Sequence, residues 1–254
     1  MKVVILAGGF GTRLSEFTQE LPKPMVRIGG TPILLHIMKI YANFGFKDFI
    51  IALGYKSDYV KDYFLKFPLI NSDFTINLSS GQMNTIKKPE LDWNVTLVDT
   101  GLQTMTGGRI KRLSKIIGDD DFLLTYGDGV ADVNIDKTIA LHKKSNRILT
   151  MTAVRPIARF GELEIKDNLV LSFQEKPQMD QGWINGGFFV CKSEVFNYIS
   201  GDEEMLEREP MQRILANGGI SVYRHDGFWH CMDSKRDHEK LNKLWNDGGA
   251  PWAL

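Results

Sequence analysis

The chain opens on a short apolar run, Val3-Val4-Ile5-Leu6, and breaks it at once with glycine. The figure recurs. Phe49 to Leu53 is a second apolar run, ended by Gly54. Asn94 to Val98 is another, ended by Asp99-Thr100-Gly101. Phe122 to Tyr126 runs into Gly127-Asp128-Gly129. Short runs rich in β-branched and aromatic residues, bounded by turn residues, read as buried strands. Between them, Ile33 to Tyr41 and Ser57 to Phe67 read as helices, the first with Pro32 at its opening turn. Strands alternating with helices predict βαβ units. The expected fold is α/β and Rossmann-like: a mixed, mostly parallel sheet flanked by helices. Such sheets bind ligands at the carboxyl ends of their strands, and every glycine-rich break lies there.

The second half reads less evenly. Ile148 to Val154 is a strand, and Glu162 to Ile165 with Leu169 to Phe173 predicts a hairpin around Lys166-Asp167-Asn168. A helix is expected from Ser234 to Trp245, directly after Asp233. Residues 68 to 92 carry one expected strand, Phe74 to Leu78, and an unassigned polar excursion through Lys87-Lys88-Pro89.

Composition narrows the class. The 254 residues make one large domain or two small ones. With 31 basic and 31 acidic residues there is no general field for nucleic acid or membrane. No apolar run approaches the length of a membrane span. Met1-Lys2 leads directly into a strand, so no secretory leader is expected. Two cysteines, Cys191 and Cys231, make no disulfide framework, and a reducing cytoplasm is the expected compartment.

The first glycine loop is the leading candidate for chemistry. Gly8, Gly9 and Gly11 let backbone approach a ligand with no Cβ in the way, and successive N–H groups in such a loop make an anion-binding concavity. Arg13 adds a fixed positive charge and Lys23 a mobile one. Gly8-Gly9-Phe10-Gly11 by itself serves a plain turn equally well. Leu14 stands where the dinucleotide fingerprint needs glycine, and the Gly-Lys-Ser/Thr of a P-loop is absent. Thr104 to Arg109 opens a helix whose N–H groups suit an anion or a base edge, or else Thr106 is an ordinary N-cap. Asp128, between two glycines at a strand end, suits a hard cation or merely a turn. Glu175-Lys176 alone is a solvated charge pair. His225, His230, Cys231 and His238 are zinc-ligand types, but their spacing matches no common structural zinc pattern. Cys191, in an apolar strand, reads as a small buried hydrophobe.

Taken whole, Leu6-Ala7-Gly8-Gly9-Phe10-Gly11-Thr12-Arg13-Leu14, with Pro22-Lys23-Pro24-Met25 shortly after, resembles the signature of the sugar-phosphate nucleotidyltransferases, or nucleotide-sugar pyrophosphorylases. That signature is Leu-Ala-Gly-Gly-x-Gly-Thr-Arg-Leu followed by Pro-Lys-Pro-Met. The resemblance spans essentially the whole chain. It is strongest to the cytidylyl branch, through Trp93 to Gly101, Met105 to Arg109, Tyr126 to Val130, Ile184 to Phe189, and Phe228-Trp229 leading to Met232-Asp233. The chain departs from that branch at Ile157-Ala158, and at His230-Cys231, where a Gln-Pro pair is usual.

The resemblance implies a single nucleotidyltransferase domain over residues 1–254, with 1–145 mainly binding nucleotide and 146–254 mainly binding sugar phosphate. It implies cytidylyl transfer from CTP to α-D-glucose 1-phosphate, giving CDP-glucose and pyrophosphate for the deoxysugars of bacterial surface polysaccharide. The implied nucleotide site is Leu6, Ala7, Gly8, Gly9, Phe10, Gly11, Thr12, Arg13, Lys23, Thr104, Thr106, Gly107, Arg109, Gly127 and Asp128. Arg13, Lys23 and Asp128 are its catalytic members. The implied sugar-phosphate site is Gly161, Glu175, Lys176, Asn185, Gly186 and Gly187. Asp128 and Asp233 would hold Mg2+. CTP and a sugar 1-phosphate are the implied partners, in a cytoplasmic homo-oligomer that binds neither nucleic acid nor membrane. Two alternatives stay open: another base or sugar phosphate, and a non-catalytic nucleotide-sugar-binding protein on the same fold.

Overall fold

The computed structural model describes residues 1–87, 90–156, 162–166, 169–174 and 182–253. Its principal strands are β1 (Val3–Leu6), β2 (Asp48–Leu53), β3 (Asn94–Asp99), β4 (Phe122–Tyr126), β5 (Gly129–Ala131), β6 (Leu149–Val154), β7 (Ile184–Asn185), β8 (Phe189–Cys191), β9 (Ile220–His225) and β10 (Trp229–Cys231). The principal helices are α1 (Ile33–Ala42), α2 (Ser57–Ile70), α3 (Thr106–Arg112), α4 (Ile135–Ser145), α5 (Glu209–Ala216) and α6 (Lys235–Asn246).

β1 lies at the middle of the main sheet. It pairs in parallel with β2 on one side and β4 on the other, and β2 pairs in parallel with β3. Beyond β4 the direction changes. β8 is antiparallel to β4, β6 is antiparallel to β8, and β9 is parallel to β6. The expected mixed, mostly parallel sheet is what the chain forms.

Both faces are covered over the middle of this sheet, which is why β1, β2 and β4 are continuous apolar runs, whereas the outer strands β3 and β9 are partly exposed. Side chains alternate across a strand. Val3 and Ile5 therefore enter one core with Ile37, Tyr41 and Phe49, while Val4 and Leu6 enter the other with Ile50, Ile110 and Ile214. β7 and β8 share the partner β6 with offset registers, Ala153↔Asn185 against Thr150↔Val190. They are two ends of one strand, opened at Gly186, Gly187 and Phe188. Gly187 and Phe188 both adopt positive φ there, 75° and 51°.

A second, two-stranded sheet decides the site. β5 follows Asp128 and pairs antiparallel with β10, which precedes Met232-Asp233. Cys231 stands opposite Gly129, and the Met232 N–H donates to the Asp128 carbonyl at 2.8 Å. Two aspartates far apart in sequence are thereby set side by side.

Some boundaries differ from the sequence reading. α2 continues to Ile70 and carries Pro68 in its last turn. Residues 68 to 92 hold a hairpin, Asp73–Ile76 with Met83–Lys87, whose strands are exposed along their length. Lys88 and Pro89 lie outside the described residues. The hairpin expected at Glu162 to Ile165 and Leu169 to Phe173 is formed, by Glu162–Lys166 with Leu169–Gln174. α4 closes the first half, α5 and β9 complete the second, and none of the three was anticipated.

α6 anchors the residue just before it. Ser234 caps the helix, accepting from the Asp237 N–H, while the Asp237 carboxylate accepts from the Ser234 N–H at 2.9 Å and the Asp233 N–H at 3.2 Å. Ser234→Ala removes the reciprocal half of this capping box. Equilibrium urea unfolding should show a loss of about 1 kcal/mol.

Candidate active site

A cleft of about 390 Å3 opens where β1 and β4 end. In the strand order β3-β2-β1-β4, the crossover connections diverge between β1 and β4, which is where doubly wound sheets place their ligands. Leu6, Ala7, Gly8, Gly9, Phe10, Gly11, Thr12, Arg13, Lys23, Thr104, Thr106, Arg109, Gly127 and Asp128 all line it. Pro24, Leu102, Gln103, Met105, Tyr126 and Met205 complete the wall.

The loop after β1 is tied down at its carbonyls and open at its amides. Gly127 N–H donates to the Leu6 carbonyl at 3.0 Å, and Tyr55 N–H donates to that of Gly8 at 3.1 Å. Among the described residues, the N–H groups of Gly8, Gly9, Phe10 and Gly11 meet no acceptor. Four successive free donors facing a cleft form an anion-binding concavity. The glycines serve different ends. A Cβ on Gly8 would fall 2.2 Å from the Arg109 guanidinium, and Gly11 has φ +66° and faces Thr18 and Lys23. At Gly9 a Cβ would meet nothing within 4 Å. Protein packing does not demand glycine there, so the demand is assigned to what enters the cleft.

Arg109 is buried and, among the described residues, has no carboxylate hydrogen-bond partner. It donates to the carbonyls of Leu53 (2.9 Å), Gly101 (2.7 Å) and Gly8 (3.0 Å), and to the Thr100 hydroxyl (2.8 Å). Burial draws its pKa below the ordinary arginine value. The side chain expected to meet nucleotide also cross-links the loops that follow β1, β2 and β3.

At the other end of the cleft the charges converge. The Lys23 ammonium is 2.6 Å from Asp128 Oδ2 and 2.5 Å from Asp233 Oδ1. Arg13 Nη1 reaches Asp233 Oδ2 at 2.8 Å. Burial opposes the Lys23 charge, but Asp128, Cys231 and Asp233 outweigh it, and the lysine pKa is raised. The lysine side chain is 10 % exposed, whereas Arg13 is 72 % exposed and faces solvent beside the cleft. Two carboxylates focused on one ammonium mark a position that a divalent cation can take, since magnesium favours carboxylate and phosphate oxygens.

The sugar-side residues gather around Tyr126. Asn185 Nδ2 donates to the Tyr126 hydroxyl at 3.2 Å, and Asn185 Oδ1 accepts from the Gly187 N–H at 2.9 Å. Trp229 Nε1 donates to the Gly186 carbonyl at 2.8 Å. Gly161, Glu175 and Lys176 lie outside the described residues. Glu207 was not foreseen. It accepts from both the Tyr126 hydroxyl and the Thr106 hydroxyl at 2.6 Å, tying α3 to β4 across the cleft. The acidic run Glu203 to Glu209 reads as a solvated surface, so no sequence signal marks Glu207.

Two expectations are corrected. Met105, not Thr106, occupies the cap position of α3, and Thr106 is its first helical residue. The amides of Gly107 and Gly108 donate to the Glu204 carbonyl, at 2.9 and 3.3 Å, and so do not face an anion. Gly107 packs against this loop, with a Cβ position 2.7 Å from that oxygen, and does not line the cleft. The zinc-type cluster also separates. His225 pairs with Asp132, His230 with Asp237, and His238 with the Arg27 carbonyl. Cys191 is fully buried, as expected, and burial pushes its thiol pKa up.

The fold and this cleft are those of an enzyme class that handles nucleotides and phosphates at a parallel sheet edge. The family model described as nucleotidyl transferase matches residues 2–254, and the chain belongs to that family. It is 51 % identical to the glucose-1-phosphate cytidylyltransferase of Salmonella typhimurium, over 99 % of this chain and 98 % of that one. It is 43 % identical to the probable glucose-1-phosphate cytidylyltransferase of Bacillus subtilis, over the full length of both. Among solved structures, HddC from Yersinia pseudotuberculosis superposes with a TM-score of 0.71 at 25 % identity, covering 96 % of this chain and 99 % of that one.

The contrast between Gly8 and Gly9 is testable. Gly9→Ala should unfold at the wild-type temperature while its nucleotide KM rises at least about tenfold, a loss of about 1.4 kcal/mol. Gly8→Ala should instead lower the melting temperature, because its methyl group displaces a buried guanidinium. Differential scanning fluorimetry with steady-state kinetics separates the two.

Proposed function

We propose that this chain transfers a cytidylyl group from CTP to α-D-glucose 1-phosphate, releasing pyrophosphate and forming CDP-glucose. The observation that carries the mechanism is the convergence of Lys23, Arg13, Asp128 and Asp233 beside four unpaired amides. The full-length likeness to cytidylyltransferases supports the choice of substrates.

Phosphoryl transfer leaves little covalent work for the protein, so positioning and charge neutralisation dominate. The loop amides of Gly8 to Gly11 would hold triphosphate oxygens. Arg13, exposed beside the cleft and paired with Asp233, would turn to the leaving pyrophosphate. Lys23 would exchange its carboxylate partners for the transferring phosphate. A phosphate oxygen of the sugar 1-phosphate attacks the α-phosphorus of CTP in line. The new P–O bond forms as the bond to the bridging β-phosphate oxygen breaks, and pyrophosphate departs with that electron pair. Asp128 and Asp233 would hold Mg2+, which supplies charge neutralisation shared by both substrates. Asn185, Gly186 and Gly187 would face the sugar, joined by Gly161, Glu175 and Lys176, the lysine pairing with the attacking phosphate.

Base choice is assigned to the wall made by Ala7, Gly8 and the Thr104–Arg109 segment. Cytosine offers an N4 amino donor with N3 and O2 acceptors. A site built to hydrogen-bond one base rejects another that leaves its polar groups unpaired. The cysteine usage and an absence of membrane-length apolar helices among the described residues agree with a cytoplasmic biosynthetic role.

A panel of nucleoside triphosphates and sugar 1-phosphates, read by pyrophosphate release, tests the assignment. CTP with glucose 1-phosphate should turn over fastest, and equal turnover of CTP and UTP at low concentration would reject the base assignment. In the same assay Asp128→Asn and Asp233→Asn should each lower kcat by about two orders of magnitude or more in a folded protein. The double variant should be little worse than either single one, because residues that act as a unit are non-additive. Were the two only a turn residue and a helix-flanking residue, each change would alter stability by about 1 kcal/mol and leave turnover intact.

A further inference from the structure

Cys231 ends β10 and is partly buried. Alternation along this stretch sends Met232 into the core, where it is fully buried, and returns Cys231 and Asp233 to one face. Across the two-stranded sheet, Cys231 stands opposite Gly129, next to Asp128. One donor atom from each of Asp128, Cys231 and Asp233 lies within 4.8 Å of the other two. Among the described residues no other group of three histidine, cysteine or acidic side chains converges in this way.

The alternative, a thiol used as a small hydrophobe, describes Cys191 but not Cys231. Cys191 is fully buried in an apolar core. Cys231 faces two carboxylates and the Lys23 ammonium. That ammonium, 2.6 Å from Asp128 and 2.5 Å from Asp233, is a cation already standing where the donors converge. Zinc–sulfur and zinc–oxygen bonds of about 2.0–2.3 Å at a tetrahedral angle set two donors of one ion about 3.3–3.8 Å apart. From within 4.8 Å of one another the three donors need side-chain rotations that close them by about 1 Å, once Lys23 turns toward phosphate.

We propose that Cys231 is a third protein donor to the divalent cation held by Asp128 and Asp233, and that it opens this site to thiophilic ions such as cadmium, cobalt and zinc beside magnesium. The proposal rests on the metal reading of the two aspartates. Two carboxylates alone present hard oxygen donors suited to magnesium, and a thiolate selects softer metals. As the sulfur–metal bond forms, the thiol proton passes to solvent, with no change of oxidation state.

The test is a titration of the protein saturated with a non-transferable CTP analogue, whose phosphates draw Lys23 away, with Cd2+ and separately with Mg2+, followed by calorimetry and ultraviolet absorption against the analogue alone as blank. The wild-type protein should show a thiolate-to-cadmium charge-transfer band that saturates at one equivalent. Cys231→Ser should abolish the band and weaken cadmium at least about tenfold, while magnesium affinity shifts by less than about threefold. Saturable cadmium binding by the wild type without the band overturns the proposal, and needs no variant to read. An unchanged cadmium affinity in Cys231→Ser or Cys231→Ala does the same. If Asp128→Asn and Asp233→Asn also leave magnesium affinity unchanged, the aspartate reading falls as well, and its failure is seen in those variants alone.

Discussion

The interaction on which most of the site depends is a buried cation that, among the described residues, has no anion as hydrogen-bond partner. The Arg109 guanidinium gathers the carbonyls of Gly8, Leu53 and Gly101 and the Thr100 hydroxyl from the loops after three neighbouring strands. An uncompensated buried charge is costly. Charge-assisted hydrogen bonds at about 1.5–3 kcal/mol each offset that cost and lock the loops to one another. The lock explains the glycine pattern. Gly8 and Gly54 lie so close to the guanidinium that any Cβ would fall within 2.2 and 2.5 Å of it. Carbonyls turned inward on Arg109 leave the amides of the first loop turned outward, where an anion can use them.

The opposite end of the cleft follows a different logic. Asp128 and Asp233 are held together by a strand register, not by attraction, since like charges in a half-buried place repel. Lys23 satisfies both while no substrate is present. This balance makes the lysine exchangeable: its alternative partners, phosphate oxygens, arrive together with the demand for a cation between the aspartates. A rigid carbonyl lock beside an exchangeable charge cluster suits in-line transfer, where one phosphate must be fixed while others gain and lose charge.

The first half of the fold was legible because each central strand is buried on both faces, so its sequence is an unbroken apolar run between turn residues. The glycine loop with Arg13 and Lys23 was legible for the same local reason. What failed were features set by partners distant in sequence. α3 looked like an anion-facing helix start, yet the Glu204 carbonyl fills that place. Glu207 carries no local signal in the sequence, yet it receives two hydroxyl bonds from opposite walls of the cleft. Of the hairpin at 73–87 only the first strand was expected; the second and their pairing were missed because neither strand is buried, so no clean alternation develops.

Cys231 belongs to this second category and shows its cause most plainly. Read along the chain, it is one member of a loose histidine–cysteine group with no metal spacing. Only the pairing of β10 with β5 puts it against Asp128, and only the alternation through Met232 puts it on the face of Asp233. The histidines of that group are drawn away by separate acids and carbonyls. A shift of the pairing by one residue would send Cys231 and Asp233 into the core and bring Met232 to the cleft. The register that assembles the two aspartates therefore also decides which donor accompanies them. A substitution at that one position, made without disturbing the fold, can alter the softness of the cation site while leaving the nucleotide wall untouched.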